Sequence, residues 1–514
     1  MKTIFLKNIY LFFILSYILI LISNSYLPNY DESYQIEAAL RYFYFSKFEY
    51  SWNLPKDLSL QKFDYSIAWP FGYSALIFLF LKLKISLNAT LITIKIILIF
   101  SNLFIWQKIS LLEISEIKFI NYFKILFSIF IITISNSTTD MIVVLFFGII
   151  TNKILSPKFT IQYLNFTHLG CLLAISFIFK YTTIFLYPSL LIYFIFSNYK
   201  ERINNILYKL FLFTFPFSIT VFLIFIKNYF ESNNISTLTN VNTLNKFYFI
   251  INYDFFNLLY VIFIESLTFP ILINNGLNYF FKLFFLNYII ITFLTFLFLK
   301  YYKLKYFKNY NYFSITIFIY IIFLFLFSLY FFTNPTEWLP LSESRYYQPF
   351  AGILLIVYLK FVEQLLRYQK RFSFIFIKLI FISIFIFYLI FCYKKISYNT
   401  YVNKNILTVE QYINKINSLN KIENNIYFLD NNYFPVFPRD GVHNYFNINK
   451  LKNIKILNNR NKYISYILVS NISFKHLPII QTSSNNNILL FTINNNYKSI
   501  IIGNNTTLYW KIYN

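Results

Sequence analysis

Residues 4–22 read IFLKNIYLFFILSYILILI, and residues 29–34 read NYDESY. The first string is almost wholly apolar and, at about 1.5 Å per helical residue, long enough to cross a hydrocarbon core of about 30 Å. Lys2 and Lys7 stand at its start, which assigns the N-terminus to the cytoplasm and the acidic string to the opposite side. A cleaved signal peptide has the same basic start, but no A-x-A-like site follows and the run exceeds a usual signal core. A membrane span thus delivers two adjacent carboxylates, Asp31 and Glu32, to the outer surface.

The whole chain shares this character. Of 514 residues, 58% are hydrophobic and only 13% charged, with a mean hydropathy of +0.54, whereas a soluble protein carries roughly a quarter charged residues. The fold class expected is therefore mainly α, a polytopic transmembrane bundle. Seven glycines and no GxGxxG or GxxxxGK[ST] string exclude Rossmann dehydrogenases and P-loop NTPases. Lys and Arg exceed Asp and Glu by 45 to 20, but the excess falls mostly between apolar runs and reads as topology, with no nucleic-acid partner implied. Cys171 and Cys392 lie in apolar runs and the three histidines are scattered, so neither a disulfide framework nor a Cys/His zinc site has support.

Five basic clusters test the topology: Lys108/Lys118/Lys124, Lys153/Lys158, Lys200/Arg202/Lys209, Lys300/Lys303/Lys305/Lys308 and Arg367/Lys370/Arg371. Apolar runs at 119–138, 140–156, 164–179, 182–199, 206–226, 280–300, 312–332, 347–366 and 372–392 place every cluster inside, provided that 227–279 stays outside. Glu265 and Pro270 suit that segment to an interfacial helix. Between 67 and 106 parity allows one crossing; 88–106 is assigned to it, and the short run after Trp69-Pro70 lies along the surface or re-enters. The expectation is about 11 spans in residues 1–393, a first outer loop at 26–66, and a small extracytoplasmic α/β domain at 394–514. That domain is polar and Asn-rich, with a helical stretch near 408–421 and strand-like runs at 426–429, 463–469, 488–493, 499–502 and 508–512.

Four outer segments carry ionisable or polar groups, which are costly near lipid. In the first loop, Asp31 and Glu32 are followed by Glu37, Arg41, Glu49, Lys56, Asp57 and Asp64; adjacent carboxylates supply a general base and a metal or hydroxyl ligand, or simply begin a solvated helix with Asp31 as its cap. Ser135-Asn136-Ser137-Thr138-Thr139-Asp140-Met141 is a polar island that reads either as a capped turn or as a second acid facing the same cavity as Asp31. Lys180, between two short apolar stretches, is a phosphate ligand or a snorkelling lysine. Arg345, in an outer loop with Glu337 and Glu343, forks onto a phosphate or anchors at the interface.

The order Tyr30-Asp31-Glu32-Ser33, Trp69-Pro70-Phe71-Gly72-Tyr73, Thr138-Thr139-Asp140-Met141, Lys180-Tyr181-Thr182 and Arg345-Tyr346-Tyr347-Gln348-Pro349 resembles the GT-C glycosyltransferases. Within them it is similar to the bacterial branch of lipid A aminoarabinose transferases and protein O-mannosyltransferase-like enzymes. The likeness covers about residues 1–366. It implies that Asp31 is the catalytic acid of the first loop with Glu32 beside it, that Asp140 is the acid of the second, and that Lys180 and Arg345 meet the donor phosphate. Several members have a charged or His-Pro-Pro-type motif where this chain has Trp69-Pro70-Phe71-Gly72-Tyr73, so the resemblance does not carry over the donor-headgroup contacts.

The family implies a polyprenyl-phosphate sugar donor, or a diphosphate-linked one, used on the extracytoplasmic side of a bacterial plasma (inner) membrane, with membrane lipid as the surrounding partner. A divalent cation at Asp31 and Asp140 stays open, since some relatives work without one. The acceptor is a glycolipid, polysaccharide or protein. The alternatives are a transporter or lipid flippase, a surface-polysaccharide polymerase or ligase, and a purely structural membrane protein. If residues 26–66 and 394–514 share the outer side, an impermeant thiol reagent on intact cells should label both Ser59→Cys and Ser484→Cys; protection of either one overturns the span count.

Overall fold

A computed structural model describes residues 2–23, 30–46, 49–50, 64–65, 70–135, 137–156, 163–232, 310–331, 348–368, 408–409, 411–420, 425–429, 444–447, 463–470, 495–502 and 506–513. The protein is mainly helical, with a small sheet towards the C-terminus. It divides into two compact units, one of residues 1–18 and 94–390, the other of residues 19–93 and 391–514.

The helices are α1 (Lys2–Ser23), α2 (Tyr30–Phe45), α3 (Gly72–Lys82), α4 (Leu87–Glu113), α5 (Ile117–Ile134), α6 (Thr138–Ile154), α7 (Leu164–Phe179), α8 (Leu186–Ser197), α9 (Ile203–Ser232), α10 (Tyr310–Phe331) and α11 (Ala351–Tyr368). Short 3-10 turns at Tyr181–Phe185 and Gln348–Phe350 precede α8 and α11. Among the described residues, two helices are long and apolar enough to cross a membrane: α4, and Ile203–Phe230 of α9. The expected crossing at 88–106 runs on as one helix to Glu113. α3, after Pro70, has 11 residues and spans only about 16 Å, too short to cross. The runs expected at 280–300 and 372–392 lie outside the described residues.

Exposure along the long helices is inverted relative to a soluble protein. On α9 the exposed positions include Leu207, Phe211, Phe215, Phe222 and Phe230, whereas Lys209 and Asn228 are buried. On α4, Ile97, Phe100 and Phe104 face outward, and Lys95, Asn102 and Ser110 are fully buried. Contiguous apolar faces of this extent are what lipid accepts and water does not. Lys209, which belongs to one of the five basic clusters, is held by Glu201 at 2.6 Å and Asn198 at 3.0 Å.

Close packing in the first unit depends on glycine. Trp106 of α4 is wedged between Gly148 of α6 and Gly352 of α11; a Cβ on Gly352 would lie 2.3 Å from the indole. A Cβ on Gly170 of α7 would lie 2.2 Å from the carbonyl oxygen of Phe213 in α9, one turn from Pro216, whose ring removes a helical donor.

In the second unit the expected loop 26–66 contains α2 and a short antiparallel pair, β1 (Glu49–Tyr50) and β2 (Asp64–Tyr65). The C-terminal sheet has the order β4-β3-β5-β7-β6, from β3 (Asn425–Leu429), β4 (Asn444–Asn447), β5 (Tyr463–Ser470), β6 (Lys498–Ile502) and β7 (Thr506–Tyr513). β3 runs parallel to β4 and β5, and β7 runs antiparallel to β5 and β6. Residues 411–420 are helical, with Ile413 and Ile416 buried, and Tyr466 of β5 donates to Asn417 Oδ1 at 2.7 Å. The strand expected at 488–493 lies outside the described residues. β4 was not expected, because Asn444-Tyr445-Phe446-Asn447 offers no alternation of apolar and polar residues.

Gly170→Ala and Gly352→Ala should each lower the thermal midpoint of the purified protein in detergent, by an overpacking cost of about 1–3 kcal/mol. Combining Gly352→Ala with Trp106→Leu should cost less than the two separate losses together. Additive losses would mean that the indole is not what the methyl meets.

Candidate functional site

The turn between α5 and α6 is the expected polar island. Ser137 occupies the N-cap position of α6 with an extended backbone, but its side chain makes no cap hydrogen bond; its hydroxyl lies 3.4 Å from that of Thr139. Thr138, Thr139 and Asp140 form the first turn of α6 and are buried. Asp140 therefore sits where the helix presents its positive end.

Lys180 ends α7. Its backbone is extended, its N–H donates to Ser176 O at 3.0 Å, and its own carbonyl accepts from Thr183 in the following 3-10 turn. A cation at a helix C-terminus meets the negative end of the macrodipole. Its ammonium pairs with Asp140 Oδ1 across the two helices, the side chains being 18% and 6% exposed. Two of the sequence-predicted residues, 40 positions apart, are thus brought into direct contact. In this structure the Lys180 ammonium is held by Asp140.

Asp31 lies in the first turn of α2, in the second unit, and its side chain falls outside the described residues. Glu32 is buried and accepts a 2.5 Å hydrogen bond from the Tyr73 hydroxyl at the start of α3. Two of the quoted motifs, Asp31-Glu32 and Phe71-Gly72-Tyr73, therefore meet. Ser74 reinforces the contact by donating to Gln35 O at 2.8 Å. Further along α2, Glu37 and Arg41 form a buried i,i+4 ion pair at 3.1 Å. Along α2 the polar residues Glu32, Gln35, Glu37 and Arg41 are all buried.

Arg345, Glu337, Glu343 and Trp69 lie outside the described residues. The chain just after Arg345 forms the Gln348–Phe350 turn, whose Phe350 ring packs 4.9 Å from Phe147 of α6. Gln348 Oε1 there is buried and has no hydrogen-bond partner among the described residues.

Sequence reasoning missed Lys95, Asn102 and Tyr17. Lys95 is fully buried in α4 and donates to the carbonyl oxygen of Ser135, while the Tyr17 hydroxyl of α1 bonds the Ser135 hydroxyl. A lysine at the centre of a spanning helix costs about 2.5–3.5 kcal/mol on insertion scales, so the lone charge in Leu91-Ile92-Thr93-Ile94-Lys95-Ile96-Ile97 was the available signal. Among the described residues no three His, Cys, Asp or Glu side chains gather as metal ligands would. The chain matches no protein-family model and no curated protein.

Breaking the buried pair from one side should destabilise more than removing it whole. Lys180→Met alone leaves the Asp140 carboxylate without its ammonium and should cost about 3 kcal/mol, and Asp140→Asn added to it should restore most of that loss. A double variant no more stable than Lys180→Met, measured by thermal unfolding, would show that the pair is not coupled.

Proposed function

We propose that this chain is a polytopic membrane glycosyltransferase with about 11 spans. It moves a sugar from a polyprenyl-phosphate-linked donor to an extracytoplasmic acceptor, and works in a plasma (inner) membrane with the site and the C-terminal domain on the outer side. The observation that carries this reading is the Asp140–Lys180 pair at the adjoining ends of α6 and α7, in a unit whose long helices turn apolar faces outward. The buried Glu32–Tyr73 contact beside Asp31 supports it from the first loop.

The reaction is a displacement at the anomeric carbon. The acceptor hydroxyl gives its proton to Asp31 and forms the new bond to carbon, while the bond from that carbon to the phosphate oxygen breaks. Lys180 and Arg345 stabilise the charge that grows on the leaving phosphate. Asp140 keeps Lys180 oriented until the phosphate competes for it. A divalent cation, if used, has Asp31 and Asp140 as candidate ligands.

A transporter is the reading from another class that a specific observation favours, because Lys95 and Asn102 are polar groups buried inside α4. A vesicle assay of donor retention and sugar transfer separates the two. Asp31→Asn should reduce transfer by about 10²-fold or more while donor retention persists. Lys180→Ala and Arg345→Ala should lower both. Undiminished transfer by Asp31→Asn overturns the base assignment, and accumulation of solute with no covalent product in the parent overturns the transferase.

A further inference from the structure

Three donors on one face of α4 reach backbone carbonyls of the neighbouring segment that begins the site. Lys95 Nζ bonds Ser135 O in the α5–α6 turn, Asn102 Nδ2 bonds Met141 O at 3.1 Å, and Trp106 Nε1 bonds Val144 O at 3.2 Å. All three side chains are fully buried. The spacing of seven and then four residues keeps them on one stripe of the helix. The acceptors of Asn102 and Trp106 lie on α6, from the residue after Asp140 into its second turn, and that of Lys95 lies in the turn before it.

The contacts need close approach, and the sequence provides it. A Cβ on Gly148 would fall 2.7 Å from Trp106 Nε1, so the glycine one turn beyond Val144 leaves the indole room to reach that carbonyl. Asn102 Nδ2 also bonds Leu98 O in its own helix at 2.9 Å, which fixes the rotamer that points at Met141. Lys95 lies 18 residues before Glu113 and Ser135 lies 18 residues after Ile117, so both stand about 27 Å along their helices from the α4–α5 connection. Tyr17 holds the same turn from α1 through the Ser135 hydroxyl.

We infer that α4 is the positioning element of the site, and that Lys95, Asn102 and Trp106 are positioning residues that set the height and rotation of α6 so that Asp140 meets Lys180. None of the three touches the proposed substrate. Asp140 is flanked by two of the gripped carbonyls, Ser135 and Met141, whereas Lys180 stands on α7, to which none of these three hydrogen bonds runs. Loss of the grip should therefore move one partner of the pair and leave the other in place.

The geometric consequence is independent of the reaction, and the kinetic one rests on the transferase reading. In a Cys171→Ser, Cys392→Ser background, cysteines at 140 and 180 are joined by a short bifunctional thiol reagent in membranes. Crosslinking should be efficient with Lys95 present, fall at least fivefold with Lys95→Met, and recover with Lys95→Arg, which restores a donor. In variants that keep Asp140 and Lys180, Lys95→Met should lower kcat for sugar transfer by about 10–100-fold, the scale of a small misplacement, with donor KM within about twofold of the parent. If Lys95→Arg does not accumulate, Asn102→Leu against Asn102→Gln gives the same comparison. Equal crosslinking in Lys95→Met and the parent overturns the proposal, as does an equal loss in the variants with and without a donor. A parent that transfers no sugar removes the transferase reading, while the crosslinking result still decides the role of α4.

Discussion

A helix with an apolar outer face must answer every inward polar group from within the bundle, because lipid offers neither donors nor acceptors. In α4, Lys95, Asn102 and Trp106 each donate to a backbone carbonyl of the neighbouring segment, while Asn102 Oδ1 and Thr90 Oγ1 are buried with no hydrogen-bond partner among the described residues. Backbone acceptors move only if a helix moves. Side chains that would be costly alone thus become fixings for α6, and two of the seven glycines, Gly148 and Gly352, are used to seat a single indole.

The same demand shapes the site. Asp140 stands at the positive end of α6 and Lys180 at the negative end of α7, so each charge is favoured by its own helix before the two meet. Their contact then offsets part of the cost of holding either one away from water, a cost that one partner alone would bear in full. In the second unit the logic recurs on a smaller scale: Glu37 takes Arg41 one turn along α2, and Glu32 takes the phenol of Tyr73 from α3.

Much of this was legible from residue order. Apolar runs in the sequence match α5 through α8 closely, the run at 206–226 stops short of the end of α9 at Ser232, and Asp140 and Lys180 stand out because charges at helix ends near lipid are rare. Their partnership was not legible, since nothing in sequence spacing says that residue 140 faces residue 180. Tyr73 was quoted within a motif but given no role, because a phenol becomes a carboxylate partner only through the packing of α3 on α2. Lys95 was passed over for a different reason: a chain with 45 Lys and Arg invites each lysine to be read as topology, although this one interrupts an apolar run instead of bordering it. The buried face of α2 escaped notice because its polar residues, read as a string, look like a solvated loop.

Charge counting links the proposed donor to what must stand beside the pair. At rest Asp140 and Lys180 compensate one another, which lets the site wait without a bound ion. A polyprenyl-phosphate sugar is a phosphodiester with one negative charge, and when its phosphate takes Lys180 it brings that charge next to the Asp140 carboxylate. Two anions then share one cation, an arrangement that low dielectric penalises steeply. A second positive charge is needed there, and Arg345 is the residue proposed for it, its planar fork being suited to phosphate. A diphosphate-linked donor would bring a further negative charge, so in the proposed site it would call for a divalent cation more strongly than the monophosphate. In the proposed site, metal dependence and donor class are therefore linked through the number of negative charges that arrive beside Asp140.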